Sequence, residues 1–80
     1  MPAFTRTNGL KVNAVKIAHV ELMTDGALLV PVDSSFEKIK VDTNFFIVHR
    51  PKASGYYVEY ENGAKAFVTA ETFERDYKED

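Results

Sequence analysis

Apolar residues fall in short runs of about 5 to 11 positions, rich in Val, Ile, Phe and Tyr. Turn-forming clusters separate them: Asn8-Gly9, Thr24-Asp25-Gly26, Asp33-Ser34-Ser35, Asp42-Thr43-Asn44, Pro51 through Gly55, and Asn62-Gly63. Turn signals at this spacing predict a β protein rather than a helical one. In Tyr56–Glu61, Asn62-Gly63 and Ala64–Thr69 the pattern predicts a hairpin. Asn-Gly suits a two-residue type I′ turn, whose central residues both need positive φ. That turn sets Val58 opposite Phe67 and Tyr56 opposite Thr69, with Tyr60 on the same, core-facing side. The other side then carries Tyr57, Glu59, Glu61, Ala64, Ala66 and Val68, a mixed face with its acids in water.

A second hairpin is expected around Thr24-Asp25-Gly26. A three-residue loop with Gly26 in the left-handed region pairs Leu22 with Leu28, Val20 with Val30 and Ala18 with Val32. A one-residue slip would reverse every face, so the apolar pairing favours this register. Val15 and Ile17 have the opposite parity to Val20 and Leu22. Either both faces are covered there, or a β-bulge near Ala18-His19 switches the strand between faces. Pro31, which has no N–H to donate, is expected to face an edge.

Phe36–Val41 and Phe45–Arg50 predict two further strands. Phe45–Val48 is apolar on both parities and is expected to be the central, most buried one. Beyond Val68 the period changes. Thr69 is a suitable N-cap, and Ala70, Phe73 and Tyr77 share one helical face. Glu71–Arg75 and Glu74–Lys78 have the favourable i,i+4 order. A helix over about residues 70–78 is too short to stand alone, so it must dock Phe73 and Tyr77 on the sheet. The expected fold is mainly β, of the α+β class: about five antiparallel strands in a twisted sheet or small partly open barrel, with this helix packed on it. Residues 1–80 form a single domain, with 1–10 as a loosely ordered N-terminal segment.

Composition narrows the function. Ten basic residues against twelve acidic give a net charge of -2, too balanced for a polybasic or polyacidic chain. The absence of Cys excludes disulfides, thiolate metal sites and a Cys nucleophile. The longest apolar run, Ala27–Val32, is far shorter than the ~20 residues of a membrane helix, and Met1–Arg6 has no leader-like apolar stretch. No membrane association is expected, and a cytoplasmic location is.

Catalytic chemistry has few candidates. His19 and His49 lack metal-ligand spacing, so no metal or cofactor is expected. Ser34, Ser35 and Ser54 sit in turns without a nucleophile elbow. Glu59 and Glu61 share a strand face, where solvated acids are the simpler explanation than a catalytic pair. The chain is therefore not expected to be an enzyme. His49, Arg50 and Lys52 near Tyr56 and Tyr57 are the best patch for single-stranded nucleic acid, but the adjoining acids oppose phosphate-driven binding.

The stretch from His49-Arg50-Pro51 through Gly55-Tyr56-Tyr57-Val58-Glu59-Tyr60 to Gly63, with Phe67, Ala70, Phe73-Glu74 and Tyr77, resembles a bacteriophage and prophage family. These are small proteins whose C-terminal signature reads Pro-x-x-x-Gly-Tyr-Tyr-Val-x-Tyr-x-x-Gly, then Phe-Glu-x-x-Tyr. Val12–Ile17 is similar to their first strand. Arg50 stands where Lys is more usual, and Asn62-Gly63 where Asp-Gly is more usual, keeping charge and turn. The signature covers the hairpin and the docked helix, so it implies a fold and a phage origin but no chemistry. It points to a non-enzymatic accessory protein, monomer or homodimer, that binds a bacterial host protein, for instance in takeover or anti-defence. The expected contact surface is Arg50, Lys52, Tyr57, Glu59 and Glu61. The alternatives are a nucleic-acid-binding barrel and a minor virion component.

Overall fold

The computed structural model describes residues 1–80. Its strands are β1 (Ala3–Arg6), β2 (Lys11–Met23), β3 (Gly26–Pro31), β4 (Ile39–Asp42), β5 (Tyr56–Tyr60), β6 (Lys65–Val68) and β7 (Tyr77–Glu79). Two helices interrupt them, α1 (Thr43–His49) between β4 and β5 and α2 (Ala70–Asp76) before β7. The mainly antiparallel α+β architecture is as the sequence predicts, with seven strands rather than about five. The main path runs β4-β3-β2-β1-β7, and β5 joins β2 while β6 joins β5. Residues 3–6, within the segment expected to be loose, form a strand paired on both sides, with β2 and with β7.

The 13-residue β2 organises the molecule. Lys16 C=O accepts from Val32 N–H on one side, and Ile17 N–H donates to Gly55 C=O on the other. Adjacent residues bond to opposite sides of a strand, so β3 and β5 flank β2. The spatial order β5-β2-β3-β4, with α1 in the long return, is a Greek key. A register shift between Ile17 and His19 places a bulge at Ala18, resolving the parity conflict in the sequence. The bulge bends β2, so its two halves belong to differently oriented parts of the sheet.

Two apolar clusters result. On one face of β2 and β5, Val12, Ala14, Tyr56 and Val58 pack with Phe73 and Tyr77. On the other, Val15, Ile17 and Tyr57 meet Ala27, Leu29 and Val41 as β3 and β4 curl over. The sheet does not close, because β4 pairs only with β3 and β6 only with β5.

Both hairpin registers differ from the sequence expectation. In β5–β6, Tyr56 pairs with Val68 and Tyr57 with Phe67. The loop is Glu61-Asn62-Gly63, with only Gly63 at positive φ (88°) and Asn62 Oδ1 accepting from Ala64 N–H. This is the three-residue loop with a glycine bulge, not the two-residue turn, and it moves Phe67 to the Tyr57 face. In β2–β3, Met23 pairs with Gly26 and Leu22 with Ala27, across Thr24-Asp25 alone. Gly26 belongs to the ladder because β4 lies against it: a Cβ there would overlap the Val41 carbonyl oxygen. Pro31 is buried opposite Ile17, two residues beyond the end of pairing with β4 that Leu29–Ile39 marks, so its missing donor disrupts no β3–β4 bond.

The largest correction concerns Phe45–Val48, which is helical rather than the central strand, and α1 has no buried residue. Asp42 Oδ1 accepts from Phe45 N–H at 2.8 Å, an N-cap that nucleates the turn. Arg50 closes it in the left-handed conformation (φ 45°), donating to Phe46 C=O, and Pro51 prevents continuation. Phe45 and Phe46 pack on the inner cluster, while Ile47 and Val48 are 59% and 64% exposed. A run apolar on both parities satisfies either period, and the cap decides. Helix α2 forms where expected but ends at Asp76, and Tyr77 continues as extended chain pairing with Arg6. The Glu74–Lys78 helical pair is consequently absent, and Arg75 bonds Asp76 instead of Glu71.

Candidate functional site

Where β4 and β6 stay apart, a cleft of about 560 Å³ opens at the mouth of the inner cluster. Val15, Tyr57, Ile39 and Phe36 give it apolar walls, and Lys38, Lys40, Lys65, Glu37 and Glu59 its polar rim. A smaller hollow of about 140 Å³, bounded by Val41, Asp42 and Phe45, shares Lys40, Tyr57 and Lys65 with it. Together they trace a groove between residues 35–42 and the β5–β6 hairpin. Alternation in β4 explains the lining: Ile39 and Val41 point inward, leaving Lys38 and Lys40 on the outer side.

The expected surface residues do not form one patch. Tyr57 is a core residue, 2% exposed, and its ring lies 6.0 Å from Phe45. Its hydroxyl donates to Glu59 Oε2 at 3.1 Å, and burial, together with this carboxylate, pushes the phenol well above its ordinary pKa. A ring so covered has no free face for base stacking. Tyr57 and Glu59 line the cleft, whereas Arg50 and Lys52 follow α1 and Glu61 begins the hairpin loop. The mixed face read from the sequence assumed the wrong hairpin register and an uncovered Tyr57. The structure adds Lys38, Lys40 and Lys65 to the cleft, and the exposed pair Ile47-Val48 next to Arg50. The Lys38/Lys40 alternation was visible in sequence. The exposure of Ile47 and Val48 was not, because it requires α1.

Four Lys or Arg side chains form ion pairs with carboxylates. Lys40 Nζ lies 2.8 Å from Asp25 Oδ2, which holds that carboxyl below its usual range. Lys38 sits 3.9 Å from Glu21, and Lys16 3.1 Å from Glu74. Lys65 has no carboxylate within ion-pair distance. Glu74 also accepts from Tyr56 Oη at 2.8 Å, tying α2 to β2 and β5. That hydroxyl bond and Lys16 depress Glu74, while burial and Glu74 push Tyr56 up to about 12. No three His, Cys, Asp or Glu side chains converge in metal-binding geometry. His19 approaches Glu21 at 3.9 Å, and His49 packs on Phe45 at 4.5 Å. No helix is long and apolar enough to cross a membrane.

No protein-family model matches the chain, and no curated protein matches it by sequence. Among solved structures, the fold is similar to the NMR solution structure of the monomeric form of the phage L decoration protein. The TM-score is 0.74 at 19% identity, and the match covers 96% of this chain. It spans 57% of the decoration protein's chain, so the likeness is to part of that molecule. What the two share is the fold, and it is one that occurs in a phage protein.

Proposed function

We propose that this chain is a minor virion component, a non-enzymatic β domain that attaches to the outer surface of a phage capsid. The observation that carries this reading is the fold shared with a phage decoration protein along nearly the whole chain. The resemblance of His49–Tyr77 to a phage-protein signature is in keeping with the same origin. Capsid attachment replaces a bacterial host protein as the leading partner, since no feature of the fold favours the latter. The protein then belongs on assembled particles rather than free in the cytoplasm.

The contact surface is the C-terminal end of α1. Ile47 and Val48 are large, adjacent and more than half exposed, and nothing in the fold uses them. Arg50 and Lys52 follow directly, giving an apolar centre with a cationic margin, and Arg is among the residue types that interfaces favour. The test is co-sedimentation of the purified protein with virions of the encoding phage on a density gradient, beside mass spectrometry of virions as isolated. The protein is expected in both, and Ile47→Asp with Val48→Asp is expected to abolish co-sedimentation without changing the circular dichroism spectrum. Absence from virions together with failure to co-sediment overturns the proposal.

A further inference from the structure

Arg50 occupies a backbone position that disfavours any side chain. It closes α1 at φ 45°, in the left-handed region where helices commonly end on glycine. The other non-glycine residue at positive φ is Ser54, at 76°, so these two bracket the loop Pro51–Ala53. Both ends are fixed, Arg50 N–H donating to Phe46 C=O and Ser54 N–H to Ile17 C=O at 2.8 Å. Backbone strain of this kind persists only where the surroundings impose it, and it gathers at sites that bind or switch. Within the fold the Arg50 side chain has no such use: it is exposed, joins no ion pair and covers no aromatic ring. We infer that Arg50 is the specificity anchor of the α1 surface, forking onto a carboxylate at the margin of an apolar patch on the capsid.

Charge commits the partner to carboxylates. From Thr43 to Gly55 the chain carries no acid, although its net charge is -2. Lys38 and Lys40 are offset by Glu21 and Asp25, whereas Arg50 and Lys52 have no carboxylate within ion-pair distance. These two cations sit on a fixed loop directly after Ile47 and Val48, which are 59% and 64% exposed. Covering that apolar pair expels water from beside the guanidinium. A carboxylate meeting it there is sheltered, unlike the partners of the exposed surface pairs. Arginine suits this role better than lysine, because its planar fork holds both carboxylate oxygens and is less strongly hydrated. Two cations are too few for an anionic bilayer, which recruits clusters of about four to eight. A nucleic-acid strand likewise calls for a longer basic track. This inference rests on the capsid reading and adds to it the chemistry of the receiving surface.

The test titrates the full-length protein onto virions of the encoding phage, with Arg50→Gly, Arg50→Lys and Arg50→Glu beside it and melting temperatures for all four. Affinity of the natural protein is expected to fall about tenfold from roughly 0.05 to 0.5 M NaCl. Arg50→Gly is expected to weaken binding about tenfold or more while its Tm stays level or rises, since glycine relieves the left-handed strain. Arg50→Lys keeps the charge and the backbone demand, and is expected to weaken binding about threefold. Arg50→Glu is expected to abolish it. An arginine serving only the negative end of α1 gives the opposite pattern, a lower Tm for Arg50→Gly with unchanged binding, and that result overturns the inference. Equal binding by Arg50→Gly and Arg50→Glu also overturns it and leaves the capsid reading standing. Failure of the natural protein to bind virions removes both. Co-sedimentation with phosphatidylserine vesicles as strong as with virions overturns the assignment to protein carboxylates.

Discussion

Phe73 offers the most direct test of how the outer cluster holds α2 and β7. Its side chain is 1% exposed and stacks on Tyr56 at 4.0 Å and on Tyr77 at 4.4 Å, with Phe4 edge-on at 4.9 Å. Removing a buried Phe to Ala costs roughly 3–5 kcal/mol, and three aromatic neighbours place this site at the upper end. A domain of this length is stable by only about 4–12 kcal/mol. Phe73→Ala is therefore expected to consume a third of the stability or more. With a urea m-value near ~1 kcal/mol/M, a 4 kcal/mol loss moves the midpoint down by about 4 M. The corresponding fall in Tm is about 15–30 °C. Phe73→Leu, which keeps most of the buried volume, is expected to lose only about 1–2 kcal/mol. Urea denaturation followed by tyrosine fluorescence, with hydrogen exchange over residues 70–79, reads both variants. A loss below ~1.5 kcal/mol for Phe73→Ala at unchanged m refutes the reasoning, because the ring would then not hold α2 to the sheet.

Gly26→Ala is expected to cost about 3 kcal/mol or more in chemical denaturation, since the new methyl overlaps β4 backbone and φ is +150°. Gly9→Ala, at φ +92° with open space around it, is expected to cost only about 1–2 kcal/mol of backbone strain. Asp42→Ala removes the α1 cap and is expected to lose about 1 kcal/mol, with faster amide exchange at Phe45. Glu74 has a depressed pKa in the folded state, so its contribution is complete above the ordinary value of 4.5 and fades as pH falls through the lower folded value. The Tm advantage of the natural protein over Glu74→Gln is therefore expected to shrink on acidification from pH 6 to pH 3. Tyr56 has the opposite sign: its neutral form stabilises the fold below pH 10, and that contribution is lost as pH rises toward about 12.

The sequence by itself determined what depends on local chemistry. Turn residues and β-branched runs specified an antiparallel sheet, the parity break near Ala18-His19 narrowed that stretch to a bulge or a strand covered on both faces, and the period change after Val68 specified a docked helix led by Phe73. Each signal lies within about ten residues, so no distant partner is needed to read it. Tertiary structure decided what short segments leave degenerate. Phe45–Val48 is apolar enough for a central strand, yet the Asp42 cap and the inner cluster at its other side make it a helix with Ile47 and Val48 outside. The hairpin registers were settled by β4 against Gly26 and by Gly63, rather than Asn62, taking the positive φ. The cleft belongs to neither segment that forms it. Lys65 lies 25 positions beyond Lys40 in sequence, and it joins Lys38 and Lys40 in one rim only because the Greek key returns β5 to β2 and leaves β4 and β6 unjoined. Whether an alternating strand has a wet face depends on what the rest of the chain lays over it, which is why Tyr57 could be assigned to a surface and lies in the core.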